Sequence, residues 1–180
     1  MKFSSPRAWL AATALCAVGT LSWAQIERLD LSSMVAKTDQ AVDGTITQRQ
    51  VFRVDSPIDG PELYFTTLTI QGTSLYTGQA LTIDVTFSGG FVTPTQGAYN
   101  SEAPSAADTK VGNHVVVFSR WSNNMGGDVA ANAIYAAHGG LYNVIDTRNG
   151  QIVQGRGAGY AIDKNVKTAD LRTSVSSLKK

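Results

Sequence analysis

His114 and His138 are the two histidines of this 180-residue chain, so any imidazole chemistry must run through one of them. A hydrolytic site needs such a ring between a carboxylate and a nucleophilic hydroxyl. His114 or His138, an aspartate and a serine could supply that set, but no spacing singles out a serine. Gly-x-Ser-x-Gly is absent, and so is His-Glu-x-x-His. Two histidines with no spaced carboxylate and no third ligand make no zinc site. The reading at this level is no catalytic residue, no metal and no cofactor.

The run Gly155-Arg156-Gly157-Ala158-Gly159-Tyr160 has the look of a nucleotide loop, but Tyr160 stands where the dinucleotide fingerprint needs its last glycine. A bulge or tight barrel corner is the expected structure there. Tyr64, Phe65, Tyr76, Phe91, Tyr99, Trp121 and Tyr142 offer stacking surface, most of it needed for packing in a β domain. Phe91, Tyr99 and Trp121 lie in or beside segments without strand periodicity. They are the candidate partner-binding residues.

The elements that must position these groups are mainly strands. Leu81, Ile83, Val85 and Phe87 alternate with Thr82, Asp84, Thr86 and Ser88, which predicts a half-buried strand with the first set facing the core. Thr82, Asp84 and Thr86 then face outward or a polar layer. Val42 to Val54 and Glu62 to Ile70 also read as strands. Val115 to Phe118, a continuous apolar run, reads as a buried central strand. Leu141 to Asp146 and Gln151 to Gln154 flank Asn149-Gly150, a hairpin signal. Ala158 to Ile162 is expected to form a last short strand.

Two short helices frame the sheet. Leu31, Met34, Val35 and Thr38 recur at helical spacing after a cap at Asp30, and Leu171, Val175 and Leu178 do so from Thr168. Lys179 and Lys180 are expected to complement the dipole of that last helix. Between the strands, residues 88–111 form a long connection with Gly89-Gly90, Pro94, Gly97 and Pro104, expected to be untethered and a place for recognition.

Residues 1–24 carry the pattern of an export signal: Lys2 and Arg7, an apolar stretch from Ala8 to Leu21, then Ser22-Trp23-Ala24 before a cut. Cleavage there would leave a single β domain over 25–180. The apolar stretch is too short for a membrane span. The single cysteine, Cys16, lies within the signal, so the exported domain would have no disulfide and no thiol chemistry. Loss of Lys2 and Arg7 leaves 13 basic and 14 acidic residues, a charge near −1 without a basic patch. That balance argues against nucleic acid and against a polybasic membrane mode.

The element order resembles a known layout. A helix leads into Thr38-Asp39-Gln40-Ala41-Val42-Asp43-Gly44-Thr45-Ile46. A second strand reaches Gly72, and Leu81-Thr82-Ile83-Asp84-Val85 precedes a long excursion. The chain returns at Lys110-Val111-Gly112-Asn113-His114-Val115. Over residues 31–121 this resembles netrin-like, tissue-inhibitor-like OB barrels and uncharacterised exported bacterial proteins of similar layout. The resemblance implies a small OB-like barrel with short N- and C-terminal helices. An open β sandwich is the alternative that the alternation permits. The inhibitors' cysteine-based mechanism does not carry over to a chain without a mature cysteine. The functional expectation is an exported, periplasmic or extracellular, non-enzymatic module that binds a partner protein or glycan or supports the envelope. The alternative is an exported hydrolase whose site is assembled only in the fold.

Overall fold

The computed structural model describes residues 29–179, so the expected signal segment lies outside the described residues. Asp30 caps the first helix, α1 (Leu31–Lys37), by accepting the Ser33 N–H at 2.7 Å. The strands follow in order: β1 (Gln40–Ser56), β2 (Gly60–Ser74), β3 (Ala80–Ser88), β4 (Gly90–Thr93), β5 (Gln96–Ala98), β6 (His114–Ser122) and β7 (Ala131–Ile134). After a 3₁₀ turn at Ala137–Gly140 come β8 (Leu141–Thr147), β9 (Gly150–Val153), β10 (Val166–Lys167) and the helix α2 (Thr168–Leu178).

β1 pairs with β2, β2 with β3, β3 with β7, β7 with β6, and β6 returns to β1, so five strands close a ring. β3 and β7 run parallel and the other pairs antiparallel. This is a small OB-like barrel with a short helix at either end, not an open sandwich: β1 closes the ring by bonding β2 on one side and β6 on the other.

Two cores share the barrel wall. Val42, Ile46, Leu68, Ile70, Ile83, Val85, Phe87, Val115 and Val117 fill the interior. Val116 and Phe118 point the other way, into a second core with Met34, Val35, Tyr142, Val153, Leu171 and Val175. β6 is therefore buried on both faces, which is why Val115 to Phe118 shows no alternation. Opposite each other on β1 and β2, Gly44 and Gly72 bring the two backbones together. A Cβ on Gly72 would stand 2.2 Å from the Asp43 carbonyl oxygen.

Two expectations need correction here. Ala158 to Ile162 is not a strand. It forms turns in the β9–β10 connection, and β9 pairs instead with Val166 and Lys167. The Gly155–Gly159 run lies in that same connection, outside the barrel ring. Its glycines serve turns, not a barrel corner. Lys180 lies outside the described residues, and Lys179 caps its own helix only through its backbone N–H, on the Val175 carbonyl, while its side chain turns to α1. The Lys179 ammonium donates to the carbonyls of Val35 at 3.3 Å and Thr38 at 2.7 Å, closing the C-terminal end of α1, and lies 4.4 Å from the Tyr76 ring centroid. Lys179→Ala should lower stability by about 1 kcal/mol in urea titration, and Lys179→Arg should recover part of it.

Candidate functional site

Two grooves carry the exposed aromatic residues, and strand alternation puts them on opposite faces of the β1–β2 ribbon. An extra residue at Thr47 breaks the pairing between Ile46 and Gln48. Beyond it, Arg49 and Val51 face one way and Phe52 the other. On the Arg49 side a cleft of about 360 Å³ is lined by Arg49, Phe87, Phe91, Tyr99 and Pro104. On the Phe52 side a groove of about 280 Å³ is lined by Phe52, Thr67, Asp84, Thr86 and Trp121, with residues 129–132. The structure thus brings Phe91 and Tyr99 together and places Trp121 apart from them. Tyr99 is 83% exposed, Phe91 48% and Trp121 51%.

The Trp121 groove is built from the outward positions of three barrel strands and the end of a fourth. Phe52 comes from β1 and stacks on Phe65 of β2, with ring centroids 5.7 Å apart. Thr67 of β2 and Thr86 of β3 share a hydrogen bond of 2.9 Å at its floor. Asp84 accepts the Thr69 hydroxyl at 2.6 Å, and its own carbonyl accepts the Asn132 amide at 3.1 Å. Trp121 is held by its backbone N–H on Asp39 at 2.8 Å and its indole N–H on Asn123 at 2.8 Å. Nearby, the Gly127 N–H donates to Asp59 at 2.7 Å, joining the β6–β7 loop to the β1–β2 turn. Phe52 escaped the sequence reading. The Val51-Phe52 cluster hides which of the two faces outward until the shift at Thr47 is known.

The excursion over residues 88–111 is tethered, contrary to expectation. β4 and β5 pair as a hairpin, Ala103 packs on the barrel core, and Asn100 donates its side-chain amide to the Ser88 carbonyl at 2.9 Å. Its far end is fixed by Asp108, which accepts from Asn143 at 2.6 Å and Arg156 at 3.3 Å. Arg156 also donates to the Leu141 carbonyl at 2.9 Å. Burial pushes the Asp108 carboxyl up, but hydrogen bonds from Asn143 and Ser105 and the Arg156 charge together outweigh it. The net pKa is below the ordinary value. Replacing residues 90–108 by a short linker would remove these ties, so that change should destabilise the fold.

A depressed folded-state pKa means stabilisation that is complete above the unfolded carboxyl pKa and lost as pH falls through the folded one. The melting-temperature gap between wild type and Asp108→Asn should therefore be constant above about pH 5 and narrow toward about pH 2. A gap that widened with acid would contradict the assignment.

The histidines occupy polar but different settings. His114 Nε2 lies 2.7 Å from Asp43 Oδ1, and Arg172 donates to the other oxygen of Asp43 at 3.2 Å. The second ring nitrogen of His114 faces the Gln151 amide at 3.5 Å, not a hydroxyl. This chain ties β6 to β1 and α2. His138 Nε2 meets the Tyr160 hydroxyl at 2.9 Å, while Nδ1 sits 3.1 Å from the Glu102 carbonyl and 4.0 Å from its carboxylate. Neither ring stands in hydrogen-bond reach of both a carboxylate and a serine or threonine hydroxyl in these contacts. Among the described residues no group of three or more His, Cys, Asp or Glu side chains is arranged to hold a metal ion. No described helix is long and apolar enough to cross a membrane.

Comparison with protein-family models, with curated proteins and with solved structures finds no match. The resemblance to netrin-like barrels rests on the layout of elements, and the functional reading rests on the site itself.

Proposed function

We propose that this chain is an exported, non-enzymatic binding module, and that its contact face is the groove beside Trp121. One observation carries the reading. A half-exposed indole stands on the outward side of β1, β2 and β3, next to the joined β1–β2 and β6–β7 loops. OB barrels hold their ligands at this sheet face and loop pair. The partner classes are a protein or a glycan. Nucleic acid fits poorly, because Asp84 is the one charged side chain lining the groove. The hydrolase alternative needs imidazole, carboxylate and nucleophilic hydroxyl in series, and the contacts of His114 and His138 give it little support.

A second contact face has its own observation: Phe91 and the strongly exposed Tyr99 line the cleft across the ribbon. Immobilised protein with an envelope extract, followed by titration of the captured partner, separates the two faces. Trp121→Ala should weaken binding by at least about tenfold at an unchanged melting temperature, the effect of losing one aromatic anchor. The double variant Phe91→Ala/Tyr99→Ala should bind as wild type does. The reverse pattern moves the contact to the Tyr99 cleft. Undiminished binding by both variants overturns the proposal.

A further inference from the structure

We infer that the Trp121 groove receives a lysine or arginine side chain projecting from a partner protein, an inference that rests on the binding reading above. Trp121 spends its indole N–H on Asn123, which fixes the ring and leaves its half-exposed surface to line the groove. A tryptophan face is the strongest aromatic partner for an ammonium or guanidinium group. Asp84 supplies the countercharge. Its Oδ1 is pinned by the Thr69 hydroxyl at 2.6 Å, and Oδ2 accepts nothing among the described residues.

The other polar side chains lining the groove, Thr67, Thr86 and Asn132, each already make a bond within the fold. The Thr67 and Thr86 hydroxyls bond each other at 2.9 Å, and the Asn132 amide donates to the Asp84 carbonyl at 3.1 Å. A sugar needs several free donors and acceptors around its ring, whereas a basic side chain needs one carboxylate and an aromatic face. Phe52, Val129 and Ala131 complete a wall for the methylene stem. A volume of about 280 Å³ has room for one long side chain. Charge complementarity with Asp84 excludes an acidic or phosphorylated segment in the same place.

Trp121 is the one tryptophan among the described residues, and its indole N–H resonance is assigned by its disappearance in Trp121→Phe. The full chain is titrated with three probes. These are a capped pentapeptide with a central arginine, the same peptide with the neutral isostere citrulline, and an uncharged N-acetylglucosamine tetrasaccharide. The arginine peptide should shift the Trp121 resonance, and citrulline should bind at least about tenfold more weakly. Asp84→Asn retains the acceptor for Thr69 and should lose the same factor, and added salt should weaken the wild-type interaction. Equal affinity for arginine and citrulline peptides, or an arginine peptide that leaves the resonance unmoved, overturns the inference. A shift with the tetrasaccharide alone overturns it too, while the groove remains the contact face. Loss of the groove reading itself shows separately, as undiminished capture of the extract partner by Trp121→Ala.

Discussion

Val85→Asp is expected to remove about 4 kcal/mol or more of stability, enough to leave the chain largely unfolded at room temperature. Val85 is fully buried inside the barrel with Leu68 and Val117, where a carboxylate would find no partner and no water. Thr82→Asp, on the exposed side of the same strand, should change stability by less than about 0.5 kcal/mol. Thr86 is unsuited to that comparison. It shares the outward face of β3, yet it is 2% exposed and hydrogen-bonded to Thr67 beneath the Trp121 groove. Circular dichroism during urea titration measures both variants. Coincident midpoints for Val85→Asp and Thr82→Asp would show that the β3 register is wrong.

Gly72→Ala is the second large expected effect, about 3 kcal/mol of destabilisation from a single methyl group. The added carbon would meet the Asp43 carbonyl oxygen at 2.2 Å and the Gly44 Cα at 2.5 Å. Both obstacles are backbone, so no side chain can swing aside. Relief requires β1 and β2 to separate where both also take part in closing the ring. Thr73→Ala, one residue along, should remain within about 1 kcal/mol of wild type by the same denaturation assay. A Gly72→Ala protein as stable as wild type would mean that the strands do not approach so closely.

Where side chains have a period, the fold was legible from the residues. Leu81 to Phe87 alternates because one side of β3 meets the barrel interior and the other does not. Val115 to Phe118 reads as central because both of its sides meet apolar cores. β7 was hidden: Ala131-Asn132-Ala133-Ile134 is too small and too short to show alternation, although it closes the ring between β3 and β6. The β4–β5 hairpin was hidden likewise. Its Gly90 and Gly97 have no side chain to reveal a face, and the hairpin takes its support from β1 and β2 rather than from its own sequence. Of the candidate residues, Trp121 could be singled out as an aromatic beside a glycine-rich loop. Its neighbours Phe52, Thr67 and Asp84 could not, because they reach the groove from strands far apart in the chain.

The bond from Lys179 to the Val35 and Thr38 carbonyls spans more than 140 positions, and β1 must wait for β6 across an intervening 57 residues before the ring shuts. The β1–β2 hairpin needs only the turn at Pro57–Asp59 and can zip early. Loop entropy predicts the order of events: local ribbon first, ring closure later, and the clasp of α1 by Lys179 last. Such a molecule is expected to fold slowly for its size, which stopped-flow refolding would measure. Its growing chain exposes the strand edges of β1 and β3 until β6 and β7 arrive, and that interval is when a chaperone or a second chain can compete for them.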